Sequence, residues 1–336
     1  MIRPSSPLTM LLSRHTRRRE FITMLGGAAT WPRAAHAQQS SNLPRVGSIH
    51  TTRSENSEAF FRGLREAGYA DGQNVLLESR FSEGELGPAD EFARELVALN
   101  SSVIFASNPY AIRAAMKATQ TIPIVGIDLE DDPVASGWAQ NLARPGGNLT
   151  GVFLDLPELG GKQIELLKEA VPTLSRLAVL WDATIGTVQF RATDTAPRPA
   201  GVILQSLPIR SARDVDAAFR QAAREHADGM VLLSSPLIYY ERSHITDLAV
   251  KGRLPTNTLF TAFPKLGGLM AYGPHFPSMF TRGASYVARI LAGAKASELP
   301  IERPSKFELV INLKTARALG LTIPETLLVR ADEVIE

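Results

Sequence analysis

Short apolar runs alternate with amphipathic helical stretches along this chain, and that alternation limits its fold more than any other feature. Residues 45–50 (RVGSIH) read as a strand. Residues 54–69 follow with Ala59, Phe60, Leu64 and Ala67 at helical spacing, closed by Gly68. A strand is expected at 75–81, a helix at 88–99 with Phe92, Leu96 and Leu99 on one face, and a buried strand at 103–107 (VIFAS). Asn108 can cap the next helix, and Pro109 suits its first position. Strands at 123–128 and 149–153 complete the series. Repeated strand–helix alternation specifies a parallel sheet covered on both faces.

The alternation then restarts. Helices are expected at 158–171, 186–198, 214–226 and 236–251, and strands at 176–182 (RLAVLWD), 202–209, 230–235 (MVLLSS) and 256–260. A strand-like run at 269–273 precedes a helix at 278–291. A strand at 307–313 and a short helix at 314–319 end the series. The fold class is therefore α/β, with two Rossmann-like lobes in series and a turn at Arg144-Pro145-Gly146-Gly147-Asn148 before the crossover. The expected lobes are 44–153 plus about 269–300, and 154–268 plus about 301–336. Several crossings between two lobes make a hinge.

The amino terminus sets the compartment. Arg17-Arg18-Arg19 precede an apolar run from Phe21 to Trp31, and Ala35-His36-Ala37 is a small-x-small cleavage site. That order reads as a signal peptide over 1–37. The apolar run is too short for a bilayer, which needs roughly 20 residues. Cleavage after Ala37 removes six of the 36 Lys and Arg and one of the 34 Asp and Glu. The remaining 30 basic and 33 acidic residues carry a net −3, so the basic character belongs mostly to the leader. No basic stripe for nucleic acid is expected on the folded part. The chain has no cysteine, which excludes disulfides and a cysteine-linked lipid anchor. Free solution in a periplasm is the expected location.

Motifs for several chemistries are missing. There is no G-x-x-x-x-G-K-S/T loop, and Gly160-Gly161-Lys162 reads as a helix start. There is no G-x-S-x-G elbow, and no G-x-G-x-x-G after the first strand. After cleavage only His50, His226, His244 and His275 remain, none paired at metal-binding spacing. Neither a cofactor nor a metal is expected. Acids cluster at Asp128-Leu129-Glu130-Asp131-Asp132. General acid–base work, a hard-metal site, or a solvated loop with Asp132 capping a helix begun by Pro133 all stay open there.

What the chain does carry is polar and aromatic residues at strand ends, where open α/β sheets bind ligands. They are His50-Thr51-Thr52, Ser107-Asn108-Pro109-Tyr110, Asp128, Phe153, Trp181-Asp182 and Ser234-Ser235-Pro236. Ser107 and Asn108 sit where a helix N-terminus can receive a carboxylate. Asp128 or Asp182 can take an amine, and Tyr110, Phe153, Trp181 and Tyr239 can wall the site.

Several stretches resemble the ABC-transporter substrate-binding family that includes tryptophan- and tyrosine-type binding proteins. They are Arg18-Arg19-Glu20-Phe21-Ile22 (twin-arginine-like), Gly63-Leu64-Arg65-Glu66-Ala67-Gly68-Tyr69 with Gly72-Gln73-Asn74, and Arg144 through Val152. Gly268-Leu269-Met270-Ala271-Tyr272-Gly273 and the run from Pro304 to Pro324 complete the set. The resemblance implies the type I periplasmic-binding fold, and a protein that delivers a small ligand to a membrane permease with its ATPase and catalyses nothing. A monomer is expected. By similarity the pocket loops lie near Thr51, Ser107, Asp128, Phe153, Asp182, Ser235 and Tyr272, with Thr52, Asn108 and Trp181 beside them. Pro197 and Pro199 depart from the family pattern and predict that the 186–198 helix ends near 196. An extracytoplasmic sensor, or a periplasmic hydrolase using the 128–132 acids, are the alternative functions.

Overall fold

Strands buried on both faces need helices on both sides, and the first half of the chain supplies them in order. A computed structural model describes residues 43–336 except 84–86, 130–131, 155, 197–198 and 200, and omits the side chains at 128–129 and 156–158. The expected leader lies outside the described residues. Strands β1 (Arg45–His50), β2 (Leu76–Phe81), β3 (Val103–Ala106), β4 (Ile124–Leu129) and β5 (Leu149–Phe153) alternate with helices α1 (Glu55–Glu66), α2 (Ala89–Ala98) and α3 (Pro109–Ala118). The strands lie parallel in the order β2-β1-β3-β4-β5. Every residue of β3 is buried, as its continuous apolar run requires.

The second half repeats the design. Helix α4 (Leu156–Ala170) leads into β6 (Arg176–Asp182), α5 (Val188–Thr195), β7 (Ile203–Ile209), α6 (Val215–Arg224) and β8 (Gly229–Leu232). Then come α7 (Pro236–Tyr240), α8 (Arg242–Lys251), β9 (Thr256–Thr258), α9 (Ala262–Lys265) and β10 (Met270–Pro274). The order β7-β6-β8-β9-β10 is parallel and matches the first sheet strand for strand. In both sheets the winding reverses between the first and third strands, β1/β3 and β6/β8, and the crevice at that reversal is where such sheets bind ligands.

After β10 the chain returns. Helix α10 (Phe276–Leu291) packs on α1 and on the first sheet, and β11 (Ile301–Glu302) extends that sheet beside β5. Strand β12 (Phe307–Asn312) then pairs antiparallel with β10. Helices α11 (Leu313–Leu319) and α12 (Glu325–Leu328) and strand β13 (Glu333–Ile335) finish the second sheet. The chain thus crosses between sheets three times, near residue 154, near 275 and over 303–306. The backbone N–H of His275 donates to the carbonyl of Lys306 at 3.0 Å and ties the second crossing to the third.

The expected assignment of 269–300 to the first lobe differs from this topology at both ends. Residues 270–274 belong to the second sheet, as the fifth strand of its winding order, and 301–302 belong to the first. An apolar run shows that a strand exists but not which sheet has room for it. The expected 236–251 helix is two helices, broken at Glu241, where ψ is +9°. Helix α5 ends at Thr195, before the two prolines. Residues 133–137 form turns rather than a helix. The Asp132 carboxylate accepts from the N–H groups of Val134 (2.8 Å) and Ala135 (3.1 Å), a turn-forming pattern.

Two glycines, one in β5 and one in α1, are required by space alone. A Cβ on Gly151, whose φ is +141°, would lie 1.8 Å from the carbonyl oxygen of its β4 partner Gly126. A Cβ on Gly63 would lie 2.9 Å from that of Ala284, so α1 and α10 meet closely only because one side is bare.

Candidate functional site

Each winding reversal positions a pair of polar strand ends. In the first sheet Asn108 caps α3, its side-chain oxygen accepting from the N–H of Ala111 at 2.9 Å. Its amide nitrogen donates to the Thr51 hydroxyl at 3.1 Å, which locks the β1 and β3 ends together. Ser54 caps α1 in a reciprocal arrangement with Ser57. In the second sheet Ser235 caps α7, accepting from the N–H groups of Leu237 (3.0 Å) and Ile238 (3.3 Å).

These ends face one small cleft that opens to solvent, with a cavity volume of about 40 Å3. Thr51, Thr52, Ser54, Asn56, Ser107 and Asn108 line it from the first sheet, and Ser235 and Pro236 from the second. Its apolar wall is Tyr239, Phe260, Phe276 and Phe280. Three of these rings run on from one another, with centroids 5.0 Å apart for Tyr239–Phe260 and 5.5 Å for Phe260–Phe276. A polar rim facing an aromatic wall suits an amphipathic small molecule.

His50 ends β1 at the cavity wall, buried among Phe60, Phe61, Phe81, Phe105 and Phe280 with centroids 5.2–6.3 Å away. Neither ring nitrogen has a hydrogen-bond partner. Burial, and secondarily the nearby Arg53 charge, lower its pKa to about 3, so the ring is neutral at ordinary pH.

Asp182 is also buried, but its carboxylate is occupied. One oxygen accepts from the hydroxyls of Tyr110 and Ser235, each at 2.7 Å. The other accepts from the N–H (2.9 Å) and hydroxyl (2.5 Å) of Thr184. Tyr110 belongs to the first sheet's α3, so this carboxylate bridges the two halves. Arg113, also on α3, reaches the carbonyl of Ile185 at 3.2 Å.

Of the expected site residues, Thr51, Thr52, Ser107, Asn108 and Ser235 come together at the cavity. Trp181, Phe153 and Tyr272 do not line it. Trp181 faces the opposite side of β6 from Asp182, stacks on Phe190 at 5.0 Å and donates its ring N–H to the Ser206 hydroxyl at 2.9 Å. Strand alternation forbids adjacent residues from sharing a face. Phe153 packs in the core of the first sheet. Tyr272 stacks on Phe307 at 5.9 Å and lines a separate cavity at the crossings, with Leu154, Pro274 and Arg303. The Asp128 side chain, like Glu130 and Asp131, lies outside the described residues.

Ser54, Asn56, Phe260, Phe276 and Phe280 were not foreseen. Phe260 closes the expected 256–260 strand, so the strand-end rule reaches it. Phe276 and Phe280, one helical turn apart, read as ordinary core. Among the described residues no group of three or more His, Cys, Asp and Glu is placed to hold a metal ion. His244 pairs with Asp216 at 3.0 Å, and His275 caps α10. Among the described residues no helix is long and apolar enough to cross a membrane.

The tyrosine-binding protein of Clostridioides difficile is 21% identical over 276 residues, covering 81% of this chain and 78% of its own. A solved conserved domain protein from Vibrio cholerae superposes with a TM-score of 0.80 at 24% identity, over 87% of this chain and 100% of that one. A Streptococcus pneumoniae ABC domain in complex with L-Trp gives 0.80 at 23% identity, over 88% and 100%. The model of the family described as ABC transporter substrate binding protein matches residues 48–335. The chain therefore belongs to the ABC transporter substrate-binding protein family.

Proposed function

We propose that this protein captures a small amphipathic metabolite in the cleft between its two sheets, outside the inner membrane, and delivers it to an ABC permease for import. The observation that carries the reading is the facing of two winding reversals across one cavity, with a polar rim from both sheets and an aromatic wall. An aromatic amino acid is the leading ligand. Its ring would lie along Tyr239, Phe260, Phe276 and Phe280, and its carboxylate would meet Thr51, Ser107 and Asn108. The relative named for tyrosine and the solved neighbour holding L-Trp support the same chemical class. Of the two acids expected to take the ligand amine, Asp182 already accepts four hydrogen bonds, and Asp128 is the last residue but one of β4. The working form is residues 38–336, exported and cleaved after Ala37, acting as a monomer without cofactor or turnover.

A thermal-shift screen of residues 38–336 against amino acids, aromatic acids and small carboxylates tests this. A ligand bound only by the folded state stabilises it by about 2.7 kcal/mol at a hundredfold excess over its dissociation constant. A concentration-dependent rise with L-tyrosine or L-tryptophan, the compound recovered intact, is the expected result. No rise with any compound, and no small molecule released on denaturation, would overturn the reading; conversion of the compound would make the protein an enzyme instead.

A further inference from the structure

Asp182 is a buried carboxylate that does not line the cavity and is held by hydroxyl and N–H donors from Tyr110, Thr184 and Ser235. A buried charge needs such donors to offset its lost hydration. Three of the four come from its own half, from Thr184 and Ser235, and hold whatever the two halves do. The fourth, from Tyr110, comes from the other half and exists only while the halves touch. The Tyr110 hydroxyl also lies against the Thr184 hydroxyl. Ser235, held by the same carboxylate oxygen as Tyr110, lines the cavity.

We propose that Asp182 is a positioning residue that couples the ligand cleft to closure: it fixes the Ser235 hydroxyl at the cavity and clasps Tyr110 across the interface. This rests on the reading of the cleft as a ligand site. A ligand touching Ser235 and a closed interface then favour the same carboxylate geometry, and each stabilises the other. When the halves part, water replaces Tyr110 on one carboxylate oxygen, and the interface loses a hydrogen bond to a charge. Arg113 on the Ile185 carbonyl also joins α3 to the 182–185 loop, but it reaches a neutral acceptor.

The test needs no ligand at first. The chain has no cysteine, so exposed Glu91 on α2 and Asp247 on α8 can be changed to Cys and spin-labelled alone. Pulsed electron resonance then gives the distribution of distances between the halves of residues 38–336. Tyr110→Phe removes one hydroxyl and should shift the closed-to-open ratio about tenfold toward open. Asp182→Asn should do the same while keeping the side-chain volume. The unfolding midpoint of Tyr110→Phe should stay near that of the parent, because the open form hydrates the freed oxygen. With L-tryptophan as probe, affinity should fall by no more than the shift in the closed population. Unchanged distance distributions in both variants would overturn the proposal, as would a lowered midpoint with no change in distance, which marks a merely structural bond. Failure of L-tryptophan to bind would count against the proposed function and leave the ligand-free distance result standing.

Discussion

His50 gives the sharpest energetic test of the site's architecture. In the unfolded chain it takes a proton near its ordinary pKa of 6.5, whereas in the folded protein it stays neutral down to about pH 3. Between those values the unfolded state binds more protons, so folding stability is complete above pH 6.5 and falls as the pH drops through the window. At pH 5 the gap is 1.5 units, worth about 2 kcal/mol of lost stability from this residue alone. Other groups titrate in the same range, so the wild type must be compared with His50→Phe, which keeps a ring among Phe60, Phe81, Phe105 and Phe280. The difference between urea-unfolding free energies at pH 7.5 and pH 5 should be about 2 kcal/mol smaller in the variant. At pH 7.5 the variant should be as stable as the parent or more so, because two buried nitrogens without partners are gone. Identical pH dependence in the two proteins would refute the reasoning, since His50 would then be hydrated in the folded state.

Asn108→Ala should cost about 1 kcal/mol as a lost helix cap and more through its bond to Thr51, read by urea unfolding, and should weaken ligand binding in calorimetry. Gly151→Ala should lose several kcal/mol or fail to fold at 37 °C, because no side chain fits against the Gly126 carbonyl; a soluble variant with an unchanged midpoint would contradict the strand packing. Trp181→Phe should lower stability by about 1 kcal/mol, through the lost bond to Ser206, and leave ligand affinity within twofold. Arg282 and Glu302 tie α10 to β11 at 2.6 and 2.8 Å, yet both are over a third exposed; Glu302→Gln should therefore cost less than about 1 kcal/mol, declining with salt.

Period and position were legible in the sequence. The ends of β1, β3 and β8 could be named from strand length and the helix caps that follow, and Thr51, Thr52, Ser107, Asn108 and Ser235 came from that rule. The reading erred where two neighbouring residues were offered together. Trp181 and Asp182 point to opposite faces, and the face depends on register against β7 and β8, which one strand's sequence does not contain. The aromatic wall was hidden for a related reason. Phe276 and Phe280 belong to a helix that returns to the first sheet, and local spacing cannot tell a ring packed in a core from one left facing a cavity between sheets. The role of Asp182 depends on Tyr110, 72 residues away on the other half, a pairing created only by tertiary structure.

A crystal structure of residues 38–336 grown with the compound giving the largest thermal shift tests the central claim most directly. The expected result is ligand density between the two winding reversals, touching Thr51, Asn108 or Ser235 on its polar side and Tyr239 or Phe260 on its apolar side. Density instead in the cavity at the crossings, beside Tyr272 and Arg303, or a compound bound nowhere between the sheets, would contradict it.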